Sequence, residues 1–122
     1  MAKILIIEDE VELRNSIAEY LLFKGYELVE ANDGLEGLEK THKEQPDIIL
    51  CDVMMPRLDG YGFLQHHKLS NYAHIPVLLM TARKELNNDL FDLSLSIKGY
   101  ISKPFNLNQL NQMIIANLVS NK

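Results

Sequence analysis

Three acidic residues stand together at Glu8-Asp9-Glu10, directly after the apolar run Ile4–Ile7. Another acid, Asp52, follows the run Ile48-Ile-Leu-Cys51. Thr81-Ala82 closes a third run, and Ser102-Lys103-Pro104 a fourth. Carboxylates, a hydroxyl and one ammonium in these places suit chemistry on a phosphoryl group. Two carboxylates about 4 Å apart repel by roughly 4 kcal/mol at an effective dielectric near 20. A hard divalent cation relieves that repulsion. Mg²⁺ takes one or two carboxylates, waters and a phosphate oxygen. Glu8, Asp9 and Asp52 are the candidates for the anionic part of such a site. His and Cys residues show no zinc-type spacing. Lys103 offers a point charge to phosphate oxygens, and Thr81 a hydroxyl donor. A carboxylate can attack phosphorus to form an aspartyl-phosphate. Asp52 is the expected nucleophile, with Mg²⁺ and Lys103 stabilising the equatorial oxygens.

That chemistry needs the four run ends in one place. Short aliphatic runs at Ile4–Ile7, Tyr26–Ala31, Ile48–Cys51, Ile75–Met80 and Gly99–Ser102 start roughly 21–28 residues apart, a spacing that suits one strand, one helix and two short loops per unit. Between them the apolar period becomes helical. Leu13, Ile17, Tyr20 and Leu21 share a face, and Gly25 follows as a cap. Asp33-Gly34 opens a second helix through Leu35, Leu38 and Lys40, closed before Pro46. A third runs from Gly60 to Leu69 with Phe63 and Leu64 inward. Leu86, Leu90, Leu93 and Ile97 predict a fourth, and Leu107, Leu110, Ile114 and Leu118 a fifth, N-capped by Asn106. Strands alternating with helices imply an α/β fold with an open parallel sheet covered on both faces. Right-handed crossovers then bring every strand's C-terminal end to one edge, where ligands bind.

The composition agrees with a single domain over 1–122. The chain has 122 residues, 47% hydrophobic and 24% charged, with 17 acids against 12 Lys and Arg for a net charge of −5. An acidic balance argues against direct nucleic-acid binding or adsorption to anionic membrane. A single cysteine cannot form an internal disulfide, and no run approaches a membrane span. The expected compartment is the cytoplasm.

Four segments carry a resemblance. They are Ile4-Leu-Ile-Ile-Glu-Asp-Glu10, Pro46-Asp-Ile-Ile-Leu-Cys-Asp-Val-Met-Met-Pro-Arg-Leu-Asp-Gly60, Ile75-Pro-Val-Leu-Leu-Met-Thr-Ala82 and Tyr100-Ile-Ser-Lys-Pro-Phe105. In this order and spacing the chain resembles the receiver (CheY-like) domain of two-component response regulators over nearly its whole length. The resemblance implies a doubly wound (βα)5 sandwich, flavodoxin-like, with a five-stranded parallel sheet of order 2-1-3-4-5. It implies that Asp52 is the phosphoacceptor, Asp9 a direct Mg²⁺ ligand, Glu8 an acid ligating through water, and Met54 a backbone-carbonyl ligand. Thr81 and Tyr100 match the switch hydroxyl and switch aromatic. Lys103 matches the phosphate-contacting lysine, and the bond to Pro104 is expected to be cis.

The implied function is a phosphorylation-dependent switch in a phosphorelay. Phosphorylation adds about −1.5 to −2 charge, which draws Thr81 inward and lets Tyr100 follow. The face of the fourth helix, fifth strand and fifth helix then changes. The implied partners are a sensor histidine kinase or histidine phosphotransfer protein, and an output protein or C-terminal effector domain. A phosphorylation-dependent homodimer fits the same family. The chain would be no enzyme on a separate substrate, catalysing only its own aspartyl phosphorylation and dephosphorylation. Members commonly carry a Gly-Ala-Asp-like turn before the fifth strand, where this chain has Ser96-Ile-Lys-Gly99. Arg83 and Met54 occupy positions that tune phosphoryl lifetime in the family.

Other readings compete. An aspartyl-nucleophile phosphohydrolase would want a second acid where Met54 stands. A flavin- or nucleotide-binding module would want an anion loop where Glu8-Asp9-Glu10 stands. A phosphorylation-independent interaction module would need no such site at all. Cys51 is expected to be a small core residue. His66 and His67 cannot share a helix face, and they are expected on the solvated surface with His42 and His74. Met54 and Met55 are expected to pack in a loop.

Overall fold

The structure is a computed structural model and describes residues 1–82 and 97–120. Strands β1 (Lys3–Ile7), β2 (Glu27–Ala31), β3 (Ile48–Asp52), β4 (Val77–Thr81) and β5 (Ile97–Ser102) form one sheet, every pairing parallel, in the order β2-β1-β3-β4-β5. The helices are α1 (Val11–Phe23), α2 (Gly34–Glu44), α3 (Gly60–Lys68) and a C-terminal helix (Leu107–Ser120). From β1 the chain crosses to β2 on one side and then to β3 on the other. The strand order therefore reverses between β1 and β3, and their carboxyl ends flank a crevice.

The central strands β3 and β4 are buried along their whole length because both faces are covered, whereas the edge strand β2 carries exposed Glu27 and Glu30. Alternate residues feed separate cores. Ile4, Ile6, Ile48, Leu50, Leu78, Met80 and Ile101 pack with Ile17 and Leu21 of α1 and with Leu110 and Ile114 of the C-terminal helix. Leu5, Ile7, Ile49, Cys51, Val77 and Leu79 pack with Phe63 and Leu64 of α3. A one-residue slip in any strand would exchange the two sets, so the two cores fix the register. Each fully buried Leu, Ile or Phe contributes about 1.5–3 kcal/mol.

Local signals set the helix ends. Tyr26 N–H donates to the Leu21 carbonyl (3.2 Å) and Gly25 N–H to that of Leu22 (2.9 Å). This closes α1 around a left-handed Gly25 with φ 98°, a conformation glycine adopts without a Cβ clash. Asp33 and Asp59 cap α2 and α3, accepting from Glu36 N and Gly62 N at 2.9 Å each. Asn106 accepts from Gln109 N at 2.6 Å.

The buried face of α2 is Gly34, Gly37 and Thr41, with Leu38 partly buried against the second core. A Cβ on Gly37 would stand 2.5 Å from Ile7 Cδ1, so the helix lies too close to β1 for larger residues there, and Leu35 is exposed. His67 is fully buried, not solvated. Its Nε2 lies 2.9 Å from the Ile75 carbonyl, and its ring stacks on Phe63 with centroids 5.5 Å apart. Its neighbour His66 is exposed, as are His42 and His74. Ile97 belongs to β5, so Ile97-Lys-Gly99 is strand and not turn. Leu86, Leu90 and Leu93, the rest of the predicted fourth helix, lie outside the described residues, as does Arg83. Among the described residues no helix is long and apolar enough to cross a membrane.

Candidate functional site

The carboxyl edge of the sheet assembles the site. Glu8 and Asp9 follow β1 directly, Asp52 ends β3, Thr81 ends β4, and Lys103 follows β5. Backbone bonds lock these ends together. Val53 N–H donates to the Met80 carbonyl at 3.1 Å, and Lys103 N–H to the Thr81 carbonyl at 2.7 Å. The Lys103–Pro104 peptide is cis. Gly60 lets the loop after β3 close, because a Cβ there would meet the Asp52 carbonyl oxygen at 2.6 Å. Its N–H donates to the Val53 carbonyl at 2.8 Å.

The side chains converge. Lys103 Nζ lies 3.0 Å from Asp52 Oδ1 and 3.0 Å from Glu8 Oε1, bridging two acids from different strands. One carboxylate oxygen each from Glu8, Asp9 and Asp52 lies within 4.8 Å of the others. Glu8, Asp52 and Thr81 are buried, Asp9 is exposed, and Lys103 is partly buried. Met54 is two residues beyond Asp52 with its side chain exposed, while Met55 packs beside the second core. Tyr100 is 43% exposed, so its ring is on the surface side of β5. Cys51 is buried, and burial next to Asp52 pushes its thiol well above the ordinary range.

Among the described residues three carboxylates gather around one ammonium, and the Glu8 carboxyl shows the imbalance. Burial raises the Glu8 carboxyl to about 7, with repulsion from Asp52 adding to the rise. The Glu10 N–H, which donates to Glu8 Oε2 at 3.1 Å, and the Lys103 ammonium oppose it. Burial pulls Lys103 down, but its bonds to Asp52 and Glu8 outweigh this and hold it above its usual value. A divalent cation would remove the residual repulsion. Mg²⁺ is held by one or two carboxylates with waters completing the octahedron, and three carboxylate oxygens within 4.8 Å of one another suit such a site.

Sequence spacing brought Glu8, Asp9, Asp52, Thr81 and Lys103 to one edge, and the geometry brings the Glu8, Asp52 and Lys103 side chains into contact. Arg14 and Arg57 carried no sequence signal. Arg14 Nη1 donates to the Glu8 carbonyl and to Asn32 Oδ1, both at 2.7 Å. Arg57 donates from Nε and Nη2 to the two oxygens of Asp33, at 2.7 and 3.2 Å. Both contacts span distant stretches of chain, where neither periodicity nor motif spacing reaches.

Comparison with known proteins decides the family. Residues 4–115 match the response regulator receiver domain. The chain belongs to that family. It is 36% identical over 114 residues to a Guillardia theta protein named probable transcriptional regulator ycf27, covering 93% of this chain and 44% of that one. It is 37% identical over 108 residues to response regulator MprA of Mycobacterium leprae, covering 88% and 47%. The receiver thus spans less than half the length of these relatives. A Francisella response regulator receiver domain superposes with a TM-score of 0.91 at 26% identity, each chain covered completely. The receiver domain of a Pseudomonas aeruginosa sensor histidine kinase superposes with a TM-score of 0.85 at 26% identity, covering 96% of this chain and 97% of that one. That neighbour has a magnesium ion coordinated in its active-site cleft. The receiver is a two-component signalling module rather than an enzyme, and its acidic pocket of Glu8, Asp9 and Asp52 suits a phosphorylation site.

Proposed function

We propose that this receiver is a single switch domain over 1–122 that takes a phosphoryl group onto Asp52 from a sensor histidine kinase or histidine phosphotransfer protein. The observation that carries this reading is the Lys103 ammonium, 3.0 Å from both Asp52 and Glu8 beside a triad of acids. An Asp52 carboxylate oxygen attacks phosphorus, the O–P bond forms, and the donor's N–P bond breaks with its electron pair leaving on the imidazole. Glu8, Asp9, Asp52 and the Met54 carbonyl would hold Mg²⁺, which would supply charge stabilisation to the transferring oxygens. Lys103 leaves its bridge to accompany a phosphoryl oxygen, and the Thr81 hydroxyl donates to another. Dephosphorylation by water returns the same carboxylate.

The added charge favours a packing in which Thr81 and Tyr100 have moved together. Tyr100 starts on the surface, so β5 and the neighbouring C-terminal helix form the face that changes. This face acts on an output protein or an effector domain, or pairs two phosphorylated copies. The longer Guillardia theta relative is named a probable transcriptional regulator, and nucleic-acid contact would belong to such an effector rather than to this acidic domain. Its working compartment is the cytoplasm.

Incubation with Mg²⁺ and a small acyl phosphate, followed by intact-mass measurement, tests the reading. A phosphoryl adduct is expected on the wild type and none on Asp52→Asn. An unmodified wild type, or an equal adduct on the variant, overturns it.

A further inference from the structure

Strand β2 ends in Glu30 and Ala31 and is followed by Asn32 and Asp33, none of which belongs to the acidic triad. Yet two arginines reach this junction, Arg14 from the first turns of α1 just after Glu8-Asp9 and Arg57 from the loop after Asp52. Arg14, at the start of α1, has a side chain only 14% exposed. Its guanidinium donates to the Glu8 carbonyl, to Asn32 Oδ1, and through Nε to Glu30 Oε1 at 3.1 Å. The Glu8 carbonyl belongs to the peptide joining Glu8 to Asp9, so Arg14 fixes the turn that presents both acids.

Arg57 holds the other side. It lies in the loop between Asp52 and the Asp59 cap, and its backbone is left-handed with φ 65°. That region costs a residue with a Cβ roughly 1–2 kcal/mol, a strain glycine would avoid. The side chain at this strained position makes the two-pronged contact with Asp33, whose carboxyl the Arg57 guanidinium holds below the usual range. Gly34 N–H donates to the Leu58 carbonyl at 2.9 Å, tying the same loop to the same junction. The junction is itself rigid. Asp33 caps α2, while Glu36 Oε1 accepts from Asn32 N at 2.5 Å and from its side-chain amide at 3.1 Å.

We propose that Arg14 and Arg57 are positioning residues for the metal site, tying the Glu8-Asp9 turn and the loop after Asp52 to a common anchor at Asn32-Asp33. The proposal rests on the Mg²⁺ reading above. Mg²⁺ demands near-ideal octahedral geometry, so loops free to drift apart bind it less well. Partners that orient ligands in this way typically contribute about 10–100-fold to metal affinity.

Calorimetric titration of the whole chain with Mg²⁺ tests it. Arg57→Ala and Asp33→Asn should each weaken binding about tenfold, and the double variant no further, because both break one contact. Arg57→Gly should weaken it equally while relieving the strained backbone, which separates positioning from general destabilisation. Arg14→Lys, which keeps one donor for the Glu8 carbonyl, should weaken it less than Arg14→Ala. At saturating Mg²⁺ the phosphorylation rate of the Arg57 variants should return to the wild-type value. Lys3→Ala, which removes ion pairs to Glu27 and Glu44 at the opposite edge, should leave affinity unchanged. Wild-type affinity in Arg57→Gly and Asp33→Asn, or fully additive losses in the double variant, overturns the tie alone. A wild type that binds no Mg²⁺ overturns the function proposed above, and the tie with it.

Discussion

Two buried acids in this receiver meet a cation with opposite results. Asp33 faces Arg57 alone, accepts two of its donors and the Glu36 N–H besides, and its carboxyl falls below the usual range. Glu8 shares Lys103 with Asp52 in a more enclosed place, and its carboxyl rises to about 7. At the β2–α2 junction Glu30 and Asp33 each have an arginine of their own and the contact is structural. Among the described residues of the carboxyl edge negative charge exceeds positive, and desolvation of Glu8 outweighs the shared lysine. A surplus that costs stability is what a site needs if it is to bind a cation. The contrast separates a part of the molecule built to stay fixed from one held in readiness.

The largest disturbance should come from Lys103→Ala. It removes the cation from both acids at once and, on the function proposed above, from the phosphoryl oxygens during transfer. Loss of one such stabilising group typically costs about 10²–10³ in rate. Time courses of the mass adduct, at equal Mg²⁺, measure this. A rate within a few-fold of wild type would show that Lys103 is only a structural bridge.

A smaller effect should distinguish the two acids by pH. In metal-free protein, folded Glu8 keeps its proton up to about pH 7, whereas the unfolded chain releases it near 4.5. The folded state therefore holds the extra proton in that window, and stability should fall as pH rises through it. The loss is on the order of 1–3 kcal/mol by linkage. Denaturant midpoints across the window should slope downward for wild type and flatten for Glu8→Gln, and Mg²⁺ should reduce the slope. A rising slope would contradict the buried, under-compensated carboxyl.

The smallest effect should have the opposite sign. Asp33 is lowered from 3.8, so its contribution is complete above that pH and fades as pH falls through the folded value. Asp33→Asn keeps a capping side chain and loses the charge on a pair whose arginine is 61% exposed. The expected cost near neutrality is about 1 kcal/mol or less, with the variant's acid melting curve approaching that of wild type below pH 3.8. A large loss at neutral pH would mean that the junction carries more of the fold than its exposure suggests.

The sequence by itself determined the order of strands and helices, the two-sided burial of the sheet, and the acids, hydroxyl and lysine that end its strands. These follow from periodicity and from the right-handed crossover, both local or nearly so. His67 was legible only in part. Its separation from His66 followed from helix geometry, but its depth depended on how α3 sits against Phe63 and Ile75. The small face of α2 was hidden for a similar reason, since Gly37 is explained by Ile7 and not by its own neighbours in the chain. The start of β5 at Ile97 was masked by an apolar spacing that continued the helical pattern into a strand.

Only the tertiary structure decided that Lys103 spans Glu8 and Asp52, and that two arginines bind the acid-bearing loops to β2. Long polar side chains have many rotamers and no period. Their partners are chosen by whichever carboxylates and carbonyls the packed strands bring within about 3 Å. A pattern of apolar residues can place a strand end, but it cannot say which charges will meet there.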